Sequence, residues 1–123
     1  RNLRRQVNLP IAAGEQWASK WPFREVIEED LIDYARIDLC IVGGLTEALK
    51  IVKASREAGL QVMVGNMVGT SLAMAPAFVL AQICDFVDLD GPTFLAQDRE
   101  PSVTYSEGTI WAGDDIWGGP DAP

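Results

Sequence analysis

With 123 residues and 48% hydrophobic content, the chain has the size of one small domain and enough apolar surface for a core of ordinary density, which excludes a disordered segment. A formal charge of -8 without a single histidine argues against a nucleic-acid partner, because such binding draws on Lys and Arg to displace counterions from phosphates. No apolar run reaches the ~18 residues needed to span a bilayer, and the N-terminus lacks the apolar core of a secretion signal, so the expectation is a protein without membrane association.

The chain begins without Met, at RNLRRQVNLPIAAG, and runs directly into an apolar segment, which leads us to expect a piece of a longer chain. Short apolar segments that read as buried strands recur at residues 7–13 (VNLPIAA), 34–42 (YARIDLCIV), 60–65 (LQVMVG) and 85–90 (DFVDLD). Helical patterns separate them. In PFREVIEEDLID, Phe23, Val26, Ile27 and Leu31 fall at helical spacing, Pro22 suits the first turn, and Glu25, Glu28 and Glu29 take the wet side. LTEALKIVKASREAG places Leu45, Leu49 and Val52 on one stripe, with Thr46 as a possible N-cap and Gly59 as the C-terminal stop. TSLAMAPAFVLAQIC is apolar nearly all round and should lie against protein on several sides, although Pro76 disturbs its first half.

Strands alternating with helices imply parallel pairing through right-handed crossovers, and near-continuous apolar strands fit a sheet covered on both faces. Four βα units over residues 1–91 form either a small open α/β sheet or half of an eight-fold barrel. In both, ligands bind at the carboxyl ends of the strands. Residues 92–123 depart from this pattern and form an irregular tail, in which SVTYSEGTIW suggests a hairpin turning at Glu107-Gly108 and Trp111 and Trp117 call for a surface to bury them. Cys40 and Cys84 sit in apolar runs and read as small buried thiols, which favours a reducing, cytoplasmic setting.

Each strand ends in polar groups that a purely structural sheet does not require. Glu15 follows the first strand, Asp38 lies inside the second, Asn66 follows the third, and Asp88 and Asp90 close the fourth on one face, with Leu89 turned the other way. Duller roles compete: Glu15 can cap a helix or lie in solvent, and Asp90 before Gly91-Pro92 can start a turn. Asp38 is harder to dismiss, since an ionised carboxylate in an apolar strand is costly unless paired. Carboxylates so arranged suit Mg²⁺ or a cationic part of a substrate. A nucleotide site is not indicated, because neither GxGxxG nor GxxxxGK[ST] occurs.

PIAAGEQW, IDLCIVGGLTEALKI, GLQVMVGNMVGTSLAMAPA and FVDLDGP together resemble the C-terminal part of the enolase superfamily, in its mandelate racemase and muconate lactonizing branch, over residues 8–118. The resemblance implies strands five to eight of a (β/α)8 TIM-type barrel, a tail returning toward a capping domain, and Mg²⁺ stabilising an enolate formed beside a substrate carboxylate. It implies Glu15 as a metal ligand, Asp38 at the strand-six position that holds an Asp in acid-sugar dehydratases and the catalytic Lys in dipeptide epimerases, and Asp88 and Asp90 as a pair binding the substrate ammonium. Asn66 is the further candidate for substrate contact. Gly65 stands where the dehydratases place a His, so an Asp-His base is impossible here. The first part of the chain is similar to dehydratases, and residues from Gly59 onward to dipeptide epimerases and N-acyl amino-acid racemases. The leading expectation is a racemase or epimerase of amino-acid derivatives, with an acid-sugar dehydratase and a catalytically inactive piece as alternatives. A missing N-terminal half, or a second copy, is the expected partner for the open edges of a half-barrel.

Overall fold

The structure is a computed structural model that describes residues 2–14 and 23–117. Its centre is a four-stranded parallel sheet in sequential order, built from β1 (Ala12–Ala13), β2 (Tyr34–Asp38), β3 (Gln61–Gly65) and β4 (Phe86–Asp88). Between them run α2 (Phe23–Glu28), α3 (Leu39–Val42), α4 (Leu45–Glu57) and α5 (Ser71–Ala81), and a short α1 (Asn2–Gln6) precedes the sheet. Every adjacent pair is parallel, so each connection crosses over through helix, which is the arrangement of half a (β/α)8 barrel.

Period-two alternation divides the strands into two faces. Ile37, Val62 and Val64 are fully buried under α4 and α5, joined by Ala48, Val52, Met74, Ala75, Ala77 and Leu80 in one core, while Ala35, also fully buried, packs with Val26 and Ile32 in a second cluster. Tyr34, Arg36, Met63 and Phe86 occupy the opposite face, where the Tyr34 and Phe86 rings meet at 5.4 Å across β3. The apolar strands therefore have helices on one face only. The expectation of a sheet covered on both faces is corrected by Arg36 and Asp38, which belong to the uncovered side.

Several elements are shorter than their apolar runs. Of residues 7–13 only Ala12 and Ala13 pair, and of 34–42 the last four form α3, because the Asp38 carboxylate accepts from Cys40 N–H and turns the chain into a helix. In α4 the buried stripe is Ala48, Val52 and Ser55 rather than Leu45, Leu49 and Val52, and Leu49 is exposed. The N-cap is Gly44, not Thr46; Gly59 does end the helix, at φ +75°, where a side chain is strained. Pro76 sits inside a continuous α5, whose N-cap Thr70 accepts from Ala73 N–H and whose Met74, Ala75, Ala77 and Leu80 are buried. Packing on several sides outweighs the one hydrogen bond that proline removes.

At the amino ends of the strands one device occurs twice. Asp33, just before β2, accepts from Ile11 N–H at 2.7 Å and from Arg4 Nη2 at 2.8 Å. Asp85, just before β4, accepts from Val62 N–H at 2.7 Å and from Arg56 Nη1 at 2.6 Å. In each case the carboxylate ties down the start of the neighbouring strand and an arginine balances its charge. The backbone donor first, then the arginine, holds both carboxyl groups below the usual carboxylate range. A depressed folded-state pKa gives stability that is complete above the unfolded value, about 3.9, and is lost as pH falls through the folded value. The melting temperature of Asp85→Asn is accordingly expected to fall below the parent's at pH 6, with the gap closing as both are titrated toward pH 2.

Beyond β4 the chain makes a 3-10 turn (Gly91–Phe94) and the antiparallel hairpin β5 (Thr104–Ser106) and β6 (Thr109–Trp111), with a second 3-10 turn at Asp114–Trp117. The hairpin turns at Glu107-Gly108 as its sequence indicates, both residues having positive φ. Glu107 at φ +49° is strained, so Glu107→Asn is expected to raise stability by about 0.5 kcal/mol, read from the urea midpoint. Val103 and Ile116 join the main core, whereas Trp111 and Trp117 stay exposed in this chain. Cys84 is half-buried, and burial first of all pushes its thiol up to about 11. Cys40 is exposed, against the expectation of a buried thiol, because α3 turns it outward.

Among the described residues, β1 and β4 each pair on one side only. Along the open edge of β4, with Val87 48% exposed, runs a groove of about 510 Å³ lined by residues that include Phe78, Ala81, Ile110 and Trp111. No helix among the described residues is long and apolar enough to cross a membrane.

Candidate active site at the strand tips

Register builds the site. Asp38 pairs with Gly65 and Gly65 with Asp88, so the carboxyl ends of three adjacent strands lie on one rung. Residues on one rung of a parallel sheet share a face, which puts Asp38 and Asp88 on the side of Tyr34, Arg36 and Phe86. The strand tips thus bring together two of the acids singled out from sequence.

Asp38 is 4% exposed; its Oδ1 accepts from Cys40 N–H at 2.9 Å, and its Oδ2 is buried without a hydrogen-bond partner among the described residues. A buried carboxylate oxygen left over from a capping bond is a costly feature for a merely structural residue. It is therefore an acceptor in waiting. Asp88 is exposed at its tip, and Asp90 lies past the strand at the start of the 3-10 turn, with Leu89 between them only 2% exposed. The expected in-out alternation holds through Leu89, but Asp90 is placed by turn geometry, its carbonyl accepting from Thr93 N–H and Oγ1.

Asp88 and Asp90 face a cleft of about 350 Å³ whose other wall is the hairpin, including Tyr105 and Glu107. Tyr105 Oη donates to Leu89 O at 2.6 Å and so fixes the hairpin to the strand tip. Burial, and then the charges of Asp90 and Asp98, push its phenol above the ordinary value. Asn66 is half-buried, its Oδ1 has no hydrogen-bond partner among the described residues, and its amide packs against Gly91: a β-carbon there would stand 2.4 Å from Nδ2. Asn66 thereby joins the tip of β3 to the turn that carries Asp90.

Glu15, the expected metal ligand, lies outside the described residues. Among the described residues no group of three His, Cys, Asp or Glu is placed to hold a metal ion, so Asp38 and Asp88 do not by themselves fit a Mg²⁺ site.

The sequence reading missed Arg36. It lies two residues before Asp38 on the same face, and its side chain crosses to β3, where a β-carbon on Gly65 would stand 2.6 Å from Nη2 and 2.8 Å from Cζ. The signal was available in YARIDLCIV, where one charged residue at i−2 from another shares its face.

Comparison with known proteins places the fold in a family. An N-acetyl-D-glutamate racemase from a Pseudoalteromonas species is 43% identical over 84 residues, which is 68% of this chain and 27% of the relative. The L-Ala-D/L-Glu epimerase of Escherichia coli strain K12 is 36% identical over 102 residues, 83% of this chain and 31% of that one. The crystal structure of an enolase family member from Agrobacterium tumefaciens with homology to dipeptide epimerases, with bound sodium and L-Ala-L-Glu, superposes with a TM-score of 0.81 at 38% identity. That alignment covers 95% of this chain and 36% of the other, so the chain spans about a third of the length of its relatives. Residues 1–115 match the family described as enolase C-terminal domain-like, and the chain belongs to that family, within its mandelate racemase and muconate lactonizing branch.

Proposed function

We propose that the chain supplies strands five to eight of the barrel of a racemase or epimerase that removes a proton α to the carboxylate of an amino-acid derivative or dipeptide. The observation that carries this reading is the shared rung of Asp38, Gly65 and Asp88, which aims two carboxylates at one face of the strand tips. The similarity to an N-acetyl-D-glutamate racemase and to dipeptide epimerases supports the substrate class.

In this reading Asp38 is a weak base or a group that supports one, because it stands where dipeptide epimerases hold their catalytic Lys. One oxygen is held by Cys40 N–H and the other is buried without a hydrogen-bond partner among the described residues, so the carboxylate is oriented in advance. Asp88 and Asp90 hold a substrate ammonium by charge-assisted hydrogen bonds from its N–H groups, and Asn66 adds a neutral amide contact. Mg²⁺ is the cofactor that the family implies, with Glu15 as this chain's ligand; bound, it would stabilise the charge that develops on the substrate carboxylate. The remaining ligands belong to sequence outside this chain, as do the strands that cover the groove along β4. That missing half is the proposed partner, with a second copy of the chain as the other candidate for the open edges.

The test is to join these 123 residues to the amino-terminal part of the Escherichia coli epimerase and incubate with Mg²⁺ in D₂O. Deuterium is expected at the α-position of L-Ala-L-Glu or N-acetylglutamate by proton NMR. Absence of exchange across a panel of dipeptides and N-acyl amino acids would reject the reading.

A further inference from the structure

Leu89 separates the two carboxylates at the end of β4, and it is held on two sides. Its side chain is 2% exposed and belongs to the main core. Its carbonyl accepts from Tyr105 Oη at 2.6 Å. That carbonyl lies in the peptide joining Leu89 to Asp90, and a peptide is planar, so a bond to its oxygen fixes the plane from which Asp90 leaves. β4 ends at Asp88 and the 3-10 turn begins at Gly91, so this peptide lies between the two regular elements. The phenol is itself a fixed point. Tyr105 stands in β5 opposite Ile110, and its Oη lies 3.8 Å from Sδ of the buried Met74. Burial, and then the charges of Asp90 and Asp98, push the phenol above its ordinary value, so it remains a donor at neutral pH.

Attachment of the hairpin does not account for this bond. Val103 before β5 and Ile116 after β6 are both in the core, and Val103 N–H donates to the buried Ser71 Oγ at 3.0 Å. A phenylalanine at 105 would pack the same ring. What the hydroxyl adds is a hold on the chain between the two acids, in the cleft of about 350 Å³ that Asp88, Asp90 and Tyr105 line. We propose that Tyr105 is a positioning residue for the substrate ammonium, setting the spacing and direction of the Asp88 and Asp90 carboxylates through the Leu89 peptide. This rests on the reading of those two acids as the ammonium site. An ammonium presents its N–H donors in fixed directions, and charge-assisted bonds require each donor to meet its acceptor. Acceptors held in place beforehand therefore discriminate between an amine and a neutral group of the same shape.

L-Ala-L-Glu and N-propionyl-L-glutamate share one skeleton and differ only in the amine, so the ratio of their affinities for the full chain reads the ammonium site. Amide shifts at Asp88 and Asp90 follow both titrations. The parent is expected to prefer the amine about tenfold. Tyr105→Phe removes one hydroxyl bond and no packing, so the fold should survive. Its preference is expected to fall about fivefold, with the affinity for N-propionyl-L-glutamate unchanged. Asp85→Asn, which lowers stability at the opposite end of β4, should keep the parent's ratio. A ratio unchanged in Tyr105→Phe, an equal loss of affinity for both ligands, or the same fall in Asp85→Asn would overturn the proposal. The failures are distinguishable. A parent that prefers the amine, with Tyr105→Phe alike, removes only Tyr105; a parent without preference removes the ammonium site and the role of Tyr105 together. A ratio that falls as expected, without α-proton exchange in the joined barrel, removes only the racemase.

Discussion

Replacing Asp98 with alanine is expected to lower stability by about 3 kcal/mol, because one carboxylate closes several backbone and side-chain bonds at once. Its Oδ1 accepts from Ser71 N–H at 2.9 Å and from Arg99 N–H at 2.7 Å, and its Oδ2 accepts from the Ser71 hydroxyl. Ser71 Oγ in turn accepts from Val103 N–H at 3.0 Å, and Ser71 is fully buried. Without the carboxylate, the first N–H of α5 and a buried hydroxyl lose their acceptor, and the tail loses its tie to the helix. Ser71→Ala removes fewer of these bonds and should cost less, about 2 kcal/mol. The double variant should come close to Asp98→Ala alone, since both act on one network. Urea unfolding of the three variants checks both magnitude and non-additivity.

The same network has a pH signature. Burial raises the Asp98 carboxyl, but the bonds from Ser71 and Arg99 outweigh it, and the net displacement is downward. With the folded pKa below the unfolded one, the contribution is complete above the ordinary carboxylate range and disappears as pH falls through the folded value. The stability difference between the parent and Asp98→Ala should therefore shrink in acid. The consequence reaches the site, because α5 follows directly on the loop that carries Asn66 and Met67.

Much of the fold was legible because it depends on alternation and punctuation, which are local. Strands two and three were located by their β-branched apolar runs, α5 by its all-round apolar character, and the hairpin by Glu107-Gly108. What failed was decided by tertiary context. The end of strand two could not be read from LCIV, which is apolar enough for a strand, because a side-chain cap from Asp38 sends it into helix. Leu49 fitted an apolar stripe as well as Ala48 did, and only the position of the sheet selects the smaller residue. At the site, Asp38 and Asp88 were found as acids at strand ends, but their meeting on one rung depends on register, and register depends on pairing between distant segments. Arg36 was overlooked for a related reason: its charge reaches the mouth only because Gly65, 29 residues later, has no side chain.

Glycine has a second positional role, and it leads to the other large effect. Gly91→Ala is expected to lower stability by about 3 kcal/mol and to disturb the acidic end of the site. A β-carbon there would stand 2.4 Å from Asn66 Nδ2 and 2.5 Å from Met67 O. The amide can swing, but the carbonyl is backbone in the loop between β3 and α5, and moving it strains the connection that sets both strand tips. Gly113→Ala is the matched control, because its β-carbon would meet Asp115 Oδ1 at 2.4 Å, the far end of a side chain that can rotate away. The control should change stability by no more than about 0.5 kcal/mol. Thermal unfolding compares the two, and amide NMR shifts at Asn66, Asp88 and Asp90 report whether the site moved with the loop. If Gly91→Ala melts with Gly113→Ala and leaves those shifts in place, the contact between the two strand tips is soft, and the spacing of Asn66 and Asp90 is set by something other than the close approach at Gly91.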